Sequence, residues 1–360
     1  MERVVIGMSG GVDSSVAAAV LKEQGYEVVG VTMKLWENGE NGACAGMDAG
    51  CARSAEEDAA QAAQKLGIEH HVLDFREEFS RQVVDYFTQA YLHGRTPNPC
   101  IACNRFLKFG ALQRKAGELG AEKIATGHYA RVERDEKTGR YLLRRAASSA
   151  KDQTYALYAL TQEQLSRTLM PLGDFPDKAA VRMKAKELGL SAAGRPDSME
   201  ICFVPDQDYA AFIERRTGFL PPPGDFVDSE GKVLGKHRGI VHYTVGQRKG
   251  LGIAFGKPMF VLKIDPGRNR VVLGEKGTEF SQELLAEDWN FIPFDLPESP
   301  MRVEAKIRYS ARPAPAEIWL ENRGLRVRFE QPQRAVTPGQ AVVFYAPGSD
   351  LVLGGATIVE

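Results

Sequence analysis

The chain has 360 residues, room for two or three domains, and its 46 Lys and Arg against 47 Asp and Glu leave a formal net charge of -1. That balance excludes a polybasic, histone-like protein and confines any nucleic-acid surface to a local patch. A 43% hydrophobic and 26% charged composition is that of a folded globular protein and excludes an extended disordered chain.

From the start, strand-like and helix-like segments alternate. Val4-Val5-Ile6-Gly7 reads as a short strand, Ser14 to Gln24 as an alanine-rich helix, and Glu27 to Met33 as a β-branched strand. Ala55 to Leu66 predicts a helix, Glu69 to Leu73 a strand, Phe79 to Tyr91 a helix and Lys123 to Thr126 a further strand. Repeated βα units imply an α/β fold with a parallel sheet and helices on both faces. Helical spacing continues at Thr161 to Thr168 and Lys178 to Leu188. The texture changes near Pro205, where Pro221-Pro222-Pro223 leads into short glycine-separated segments. Phe260 to Ile264 and Arg270 to Leu273 flank Asp265-Pro266-Gly267-Arg268-Asn269, which predicts a hairpin. Alternation from Met301 to Tyr309 indicates half-buried strands of a small β-barrel or sandwich. The expected domains are 1–204, a parallel-sheet nucleotide domain; 205–275, a small central β-rich domain; and 276–360, a C-terminal β-barrel.

The opening MERVVIGMSGG carries too short an apolar run for a secretory signal, and no later stretch approaches the ~18–20 apolar residues of a membrane span. A cytoplasmic protein without membrane contact is expected. Five cysteines, all within the first 202 residues, predict free thiols rather than a disulfide scaffold.

Residues 7–15, GMSGGVDSS, lie between the first strand and the first helix. Their glycines allow close backbone approach to an anion, and Ser14 and Ser15 add hydroxyls at a helix N-terminus, where the dipole favours negative charge. A phosphate cradle follows, although the Gly-Lys-Ser/Thr ending of a Walker loop and the dinucleotide G-x-G-x-x-G spacing are both missing. The competing reading, a plain helix cap, needs fewer glycines and serines than this loop holds. The string resembles the SGGxDSS signature of pyrophosphatase-loop adenylating enzymes, which split ATP between the α and β phosphates. By that resemblance Asp13 helps to place Mg²⁺ or the phosphates, and Met33 lies where the adenine is contacted.

In RTPNPCIACNRFLKFG, residues 95–110, Cys100 and Cys103 form a Cys-x-x-Cys. Half a zinc site, a redox pair and two buried thiols are the alternatives, and zinc is disfavoured because no second pair with metal spacing exists. A helix starting near Ile101 with Arg105 and Lys108 close by predicts a Cys103 thiol acidified below its free value. Cys202 lies in the apolar run ICF, where a lone cysteine is ordinarily inert core. Between Gly231 and Ile264 there is no Asp or Glu, while Lys232, Lys236, Arg238, Arg248, Lys249, Lys257 and Lys263 are present, so phosphate contact is expected there.

Taken in order, GMSGGVDSS, RTPNPCIACNRFLKFG, ATGHYAR at 125–131, KDQTYALY at 151–158, ICF at 201–203, HYTVGQRKGLGI at 242–253 and VTPGQ at 336–340 resemble the tRNA-specific 2-thiouridylases over essentially the whole chain. That resemblance implies ATP-dependent replacement of the C2 oxygen of the wobble uridine by sulfur in tRNAs for Lys, Glu and Gln, with AMP and pyrophosphate as products. It implies Cys103 as nucleophile and Cys202 as persulfide carrier. Gly7, Met8, Ser9, Gly10, Gly11, Val12, Asp13, Ser14, Met33 and Gly127 would bind ATP. Asn98, His128, Lys151, Asp152, Gln153, Arg308, Tyr309 and Gln340 would touch tRNA. Cys103 either displaces sulfide from Cys202 or closes a disulfide with it, and both routes stay open. The expected cofactors are ATP and Mg²⁺, with an iron–sulfur cluster on Cys100, Cys103 and Cys202 the less favoured alternative. The expected partners are tRNA and a persulfide-donating carrier protein, the enzyme itself being a monomer. Rival readings are an adenylating enzyme acting on a small acid or amide, and a non-catalytic iron–sulfur RNA-binding module.

Overall fold

The computed structural model describes residues 1–36, 54–191 and 201–360. Cys44 and Cys51 lie outside the described residues, as does Asp197 to Glu200 of the motif around Cys202. The chain forms two compact units: one of residues 1–83, 100–205 and 350–353, the other of 84–99, 206–349 and 354–360.

In chain order the first residues give β1 (Arg3–Gly7), α1 (Val12–Glu23), β2 (Glu27–Lys34), α2 (Ala55–Leu66) and β3 (Glu69–Asp74). The predicted helix at Phe79 to Tyr91 is a composite: α3 (Arg76–Phe79), a π-helical turn at Ser80–Val84, and α4 (Asp85–Leu92). Apolar spacing cannot distinguish a π turn from an α turn, because one extra residue per turn leaves the buried stripe recognisable. A second composite follows in α5 (Pro99–Ala102), a π-helix at Cys103–Ala111 and α6 (Leu112–Glu118). Then come β4 (Lys123–Ala125), β5 (Ala130–Arg134), β6 (Tyr141–Arg145), α7 (Gln162–Ser166), β7 (Thr168–Leu169) and α8 (Lys178–Glu187). The helical pattern predicted to reach Thr168 stops at Ser166, and Thr168 starts an edge strand.

The first unit is built on a five-stranded sheet in the order β3-β2-β1-β4-β7, with every pairing parallel. Its core joins Val4 and Ile6 of β1 to Val16, Ala17 and Ala18 of α1, Ala59, Ala62 and Ala63 of α2, and Val181 and Ala185 of α8. The small side chains of α1 let its neighbours approach closely, which fixes the helix that follows the glycine loop. α2 is held at both ends: Ser54 and Glu57 form a reciprocal capping box, and Gly67 closes the helix with φ 63°. The β5–β6 hairpin pairs with Leu351 and Val352, and Asp350 binds Arg131 at 2.5 Å and Arg144 at 2.6 Å.

The second unit contains α4 and α9 (Tyr209–Thr217), where Phe87 and Tyr91 meet Tyr209 in an aromatic cluster and Phe87 also meets Phe212. Helix α9, capped by Asp208, precedes the strands of the region after Pro205 and was not read from the sequence. Strands β8 (Gly224–Val227), β9 (Val233–His237), β10 (Met259–Asp265) and β11 (Arg270–Glu275) form a four-stranded sheet, and β10–β11 is the predicted hairpin. Strands β12 (Phe280–Phe291), β13 (Met301–Lys306), β14 (Ala314–Glu321), β15 (Gly324–Arg334), β16 (Ala341–Tyr345) and β17 (Leu351–Ile358) follow in the order β12-β15-β14-β13-β16-β17. Residues 354–358 of β17 pair back onto β12, closing a six-stranded barrel. Among the described residues no helix is long and apolar enough to cross a membrane.

Candidate active site

Two features of the first unit define the site: the carboxyl end of the parallel sheet and the π-helix that begins at Cys103. In an open parallel sheet, ligands bind beyond the strand ends where the strand order reverses. Here that point lies between β1 and β4: Gly7 ends β1, and Gly127 lies two residues past the end of β4. Met8 is buried, with its N–H donating to Val31 and its carbonyl accepting from the Thr32 hydroxyl, so the loop leaves the sheet in a fixed direction. Gly10 has φ 73°, and a Cβ there would meet the Ala55 carbonyl oxygen at 2.7 Å, which requires glycine on two counts. Gly11 is the N-cap of α1, with Val12, Asp13 and Ser14 in its first turn. The Ser14 hydroxyl accepts from the Ser9 N–H at 3.2 Å and donates to the Gly11 carbonyl, drawing the loop around the helix start. At Gly127 a Cβ would fall 2.8 Å from the Ser14 nitrogen, so β4 delivers bare backbone against the loop. Glycine at both sides of a helix N-terminus is the cradle an oligophosphate needs, and the loop fits ATP. Met33, half-buried near the end of β2, completes the predicted nucleotide set.

Asp13 is engaged by side chains from outside the loop. One carboxylate oxygen accepts from the Tyr129 hydroxyl at 2.7 Å, and the other forms an ion pair with Lys178 at 2.6 Å. A carboxylate offers about four acceptor sites and these contacts use two of them, so Asp13 still fits a Mg²⁺ ion or its bound water. Among the described residues, no group of three or more His, Cys, Asp or Glu side chains is arranged to hold a metal ion.

Cys103 is half-buried, Cys100 and Cys202 are exposed, and none of the three is joined in a disulfide. They are near enough to act on one another: Cys202 and Cys103 each have their pKa raised by neighbouring thiols. The predicted acidification of Cys103 is not found. Burial pushes its thiol up, and the opposing charge of Lys108 is the weaker influence. The helix begins at Pro99, which leaves Cys103 in the second turn, so the positive end of the dipole does not offset that burial. Arg105, the other expected acidifier, lies over the Phe106 ring at 5.2 Å. Cys202 is pushed up to about 12, by surrounding protein first and by Cys103 and Cys100 second. Cys202 is exposed as a residue although protein crowds its thiol. The π-helix is braced from outside. The Gln164 amide donates to the carbonyls of Arg105 and Phe109, both at 3.0 Å, and Asn104 donates to Ala156. His128 stands beside this helix, its ring 5.8 Å from that of Phe109 and its Nδ1 2.8 Å from the Thr126 hydroxyl. Burial and then Lys108 hold its pKa well below the usual histidine value, so the ring is neutral at pH 7.

Family models match along the chain as tRNA methyl transferase HUP domain over residues 2–206, tRNA methyl transferase PRC-barrel domain over 210–275 and aminomethyltransferase beta-barrel domain over 281–358. The chain is 57% identical to the tRNA-specific 2-thiouridylase MnmA of Acetivibrio thermocellus, covering 99% of both chains. The chain belongs to the tRNA-specific 2-thiouridylase family. Proteins of the same name from Clostridioides difficile and Heliobacterium modesticaldum are 53% and 54% identical, over 99% and 100% of this chain and 98% and 93% of theirs. A solved 4-thiouridine synthetase–RNA complex with bound ATP is 20% identical over 57% of this chain and 45% of its own, with a TM-score of 0.33, a likeness too weak to inform function.

Among the residues expected to touch tRNA, several have structural duties of their own. Asp152 accepts from Ala146 N–H, Thr154 N–H and the Thr154 hydroxyl, and Gln153 exchanges two hydrogen bonds of 3.0 Å with the Tyr129 backbone. These two side chains shape the loop on which Lys151 sits. In the second unit, the Gln340 amide donates to the Thr96 carbonyl and the Thr96 N–H donates to Pro338, so VTPGQ grips the strand leading to Asn98. Arg308 donates to the carbonyls of Arg334 and Ala335, and Tyr309 is exposed with the Lys306 ammonium 5.3 Å above its ring. The acid-free segment is partly neutralised by acids from elsewhere: Lys236 pairs with Asp225 and Lys257 with Glu275. Arg248 and Lys249 are exposed and have no ion-pair partner among the described residues. Sequence reasoning missed Tyr129, Gln164 and Lys178. Their partners lie far away in sequence, 165 residues in the case of Lys178 and Asp13, and no local pattern signals such pairs.

Proposed function

We propose that this chain converts the wobble uridine of tRNA to 2-thiouridine, using ATP to activate the C2 oxygen and a cysteine persulfide to supply sulfur. The supporting observation is end-to-end identity of 53–57% to tRNA-specific 2-thiouridylases, on a chain whose accessible Cys202 and half-buried Cys103 influence each other electrostatically. A carbonyl oxygen is a poor leaving group until it carries an adenylyl group, and a persulfide sulfur is a soft nucleophile suited to the activated carbon. Gly7 to Ser14, Met33 and Gly127 are assigned to ATP. Lys151, Asn98, Arg308, Tyr309 and Gln340 are assigned to tRNA with the loop shaped by Asp152 and Gln153. Neutral His128 is assigned a stacking or hydrogen-bonding contact with the target base rather than an ionic one. Cys202 carries the persulfide, its accessibility suiting sulfur delivery by a carrier protein. Cys103 then releases the sulfur, by expelling hydrosulfide from Cys202 or by attacking the Cys202 sulfur of the uridine-linked disulfide so that thiouridine leaves and a Cys103–Cys202 disulfide forms. Each route requires a thiol and ends in a disulfide for a reductant to reset. The division at about residues 204 and 275 is proposed as nucleotide, central and barrel domains.

The test is mass spectrometry of nucleosides from tRNA incubated with the protein, ATP, Mg²⁺ and a sulfide source. Appearance of 2-thiouridine at the wobble position, with AMP and pyrophosphate, is expected. ADP and orthophosphate as primary products, or turnover of a small acid without tRNA, would sink the proposal.

A further inference from the structure

Among the described residues three thiols gather around the start of the second π-helix, and the function proposed above uses two of them. Cys100 lies in α5, the single turn from Pro99 to Ala102, and is exposed; Cys103 follows it by three residues, opens the π-helix and is half-buried. Residues three apart on a helix have Cβ atoms roughly 5–6 Å apart, against the roughly 3.5–4.5 Å that a disulfide spans, so a Cys100–Cys103 bond needs only a small adjustment of the helix start. Cys103 has little freedom of its own. Its neighbour Asn104, 2% exposed, is tied to the Ala156 carbonyl, and Gln164 holds the carbonyls of Arg105 and Phe109. Cys202 is anchored by the residues after it: buried Phe203 packs edge-on against Phe79 at 5.6 Å, and the Val204 N–H closes a turn on the Ile201 carbonyl at 2.9 Å. The three sulfurs lie within one another's electrostatic reach. After burial, Cys103 and Cys100 raise the Cys202 thiol, and Cys100 raises Cys103 against the opposing Lys108.

We propose that Cys100 is the resolving thiol of this site: after each sulfur transfer it takes Cys103 over from Cys202 and presents the resulting Cys100–Cys103 disulfide to an external dithiol reductant. The inference rests on the persulfide reading above, whose two routes both end in a Cys103–Cys202 disulfide. The Cys100 thiolate attacks the Cys103 Sγ, an S–S bond forms between them, the Cys103–Cys202 bond breaks, and its electron pair leaves on the Cys202 Sγ. The proton given up by Cys100 ends on Cys202, which is again a thiol ready for the next sulfur. That exchange is redox-neutral. Reduction follows when one thiolate of the dithiol attacks the exposed Cys100 Sγ and Cys103 leaves; the second thiol of the reductant then closes on the mixed disulfide and releases Cys100. Two electrons and two protons pass from the dithiol to Cys100 and Cys103. The charge of Lys108, which lowers both Cys103 and Cys202, favours the thiolate formed at each departure. The half-buried sulfur stays in place and only changes partner, so the reductant is received at an exposed position and never caps the persulfide carrier.

Disulfide mapping of the full chain tests the assignment. The protein is oxidised with one equivalent of diamide, alkylated, digested with trypsin and read by mass spectrometry. Wild type is expected to give chiefly a Cys100–Cys103 disulfide with Cys202 alkylated, and Cys202→Ser closes the same bond, independently of activity. Cys100→Ser is expected to hold Cys103–Cys202 instead and to lose it to dithiothreitol roughly tenfold or more slowly than wild type loses its own disulfide. In nucleoside mass spectrometry with ATP, Mg²⁺, tRNA and glutathione persulfide, Cys100→Ser keeps the first turnover per chain and slows the later ones. Cys100 alkylated throughout in oxidised wild type, equal rates of reduction in wild type and Cys100→Ser, or stoichiometric iron in anaerobically purified wild type that Cys100→Ser lacks, overturns the assignment. A wild-type chain that exchanges its disulfides as expected but makes no 2-thiouridine would instead overturn the persulfide reading.

Discussion

Gly127→Ala is the sharpest test of how the nucleotide cradle is built. The φ of Gly127 is outside the left-handed region, so glycine is required there for space rather than conformation. Ideal Cβ placement puts the new methyl 2.8 Å from the Ser14 nitrogen, 2.9 Å from the Asp13 carbonyl carbon and 3.1 Å from the Ser14 Cα. All three neighbours are backbone, so no side chain can rotate away, and ordinary contact would need about 0.6 Å of movement between β4 and α1. Overpacking of this kind costs roughly 1–3 kcal/mol, and for a unit of this size each kcal/mol lowers the melting temperature by about 2–4 °C. The larger consequence is catalytic. Displacing the first turn of α1 by more than half an ångström moves the phosphate-binding N–H groups, and misplacements of that order cost about ten- to a hundredfold in rate. Pyrophosphate release with saturating tRNA, measured over a range of ATP concentrations beside thermal melts, reads both effects. Gly117→Ala is the matched control: it lies in α6 with nothing within 4 Å of its Cβ, and should be neutral or stabilising. Gly127→Ala with wild-type turnover and melting would refute the claim that β4 abuts the loop.

Cys103→Ser and Cys202→Ser should each abolish sulfur insertion while leaving ATP and tRNA binding nearly intact, read by nucleoside mass spectrometry and titration; full thiolation by Cys202→Ser would reject its persulfide role. With its pKa pushed up to about 12, Cys202 is almost wholly a thiol at neutral pH, so its alkylation by iodoacetamide should rise about tenfold per pH unit between pH 7 and 10. A plateau near pH 8 would contradict the raised value. Because the folded thiol pKa lies above the unfolded one, the associated stability is present below about pH 9 and should fall as pH rises toward 12. His128 is shifted the other way, so its contribution is present above about pH 6.5 and lost as pH falls, and His128→Asn should flatten the melting profile on the acid side. Replacing Arg248 and Lys249 by Ala should flatten the salt dependence of tRNA binding by roughly 0.7–0.9 in log–log slope per lost phosphate contact. An unchanged slope would mean that both side chains face only solvent.

What the sequence made legible was local. The strand-loop-helix of residues 3–23 is visible because an apolar run, a glycine loop and an alanine-rich stretch each have one cheap conformation, and the β10–β11 hairpin is visible because Pro-Gly and Asn fix its turn. The π-helices were not, since their side-chain stripe mimics that of an α-helix. The acidity of Cys103 was misjudged because sequence shows Lys108 and hides the burial that outweighs it. The clamp on Asp13 was invisible because it is assembled from the β4–β5 connection, α8 and the glycine loop, three places far apart in sequence.

The pairing of Leu351 and Val352 with β6, held by Asp350 on Arg131 and Arg144, has a consequence for how the protein is made. A ribosome releases the β5–β6 hairpin roughly two hundred residues before its partner strand, an interval of about 10–40 s at 5–20 residues per second. Throughout that time the edge of Tyr141–Arg145 offers open backbone donors and acceptors to any other extended segment. Charged residues on an edge strand disfavour pairing with other copies, and Arg144 already holds Glu133 within the hairpin before Asp350 adds its pairs to Arg131 and Arg144 in the finished fold.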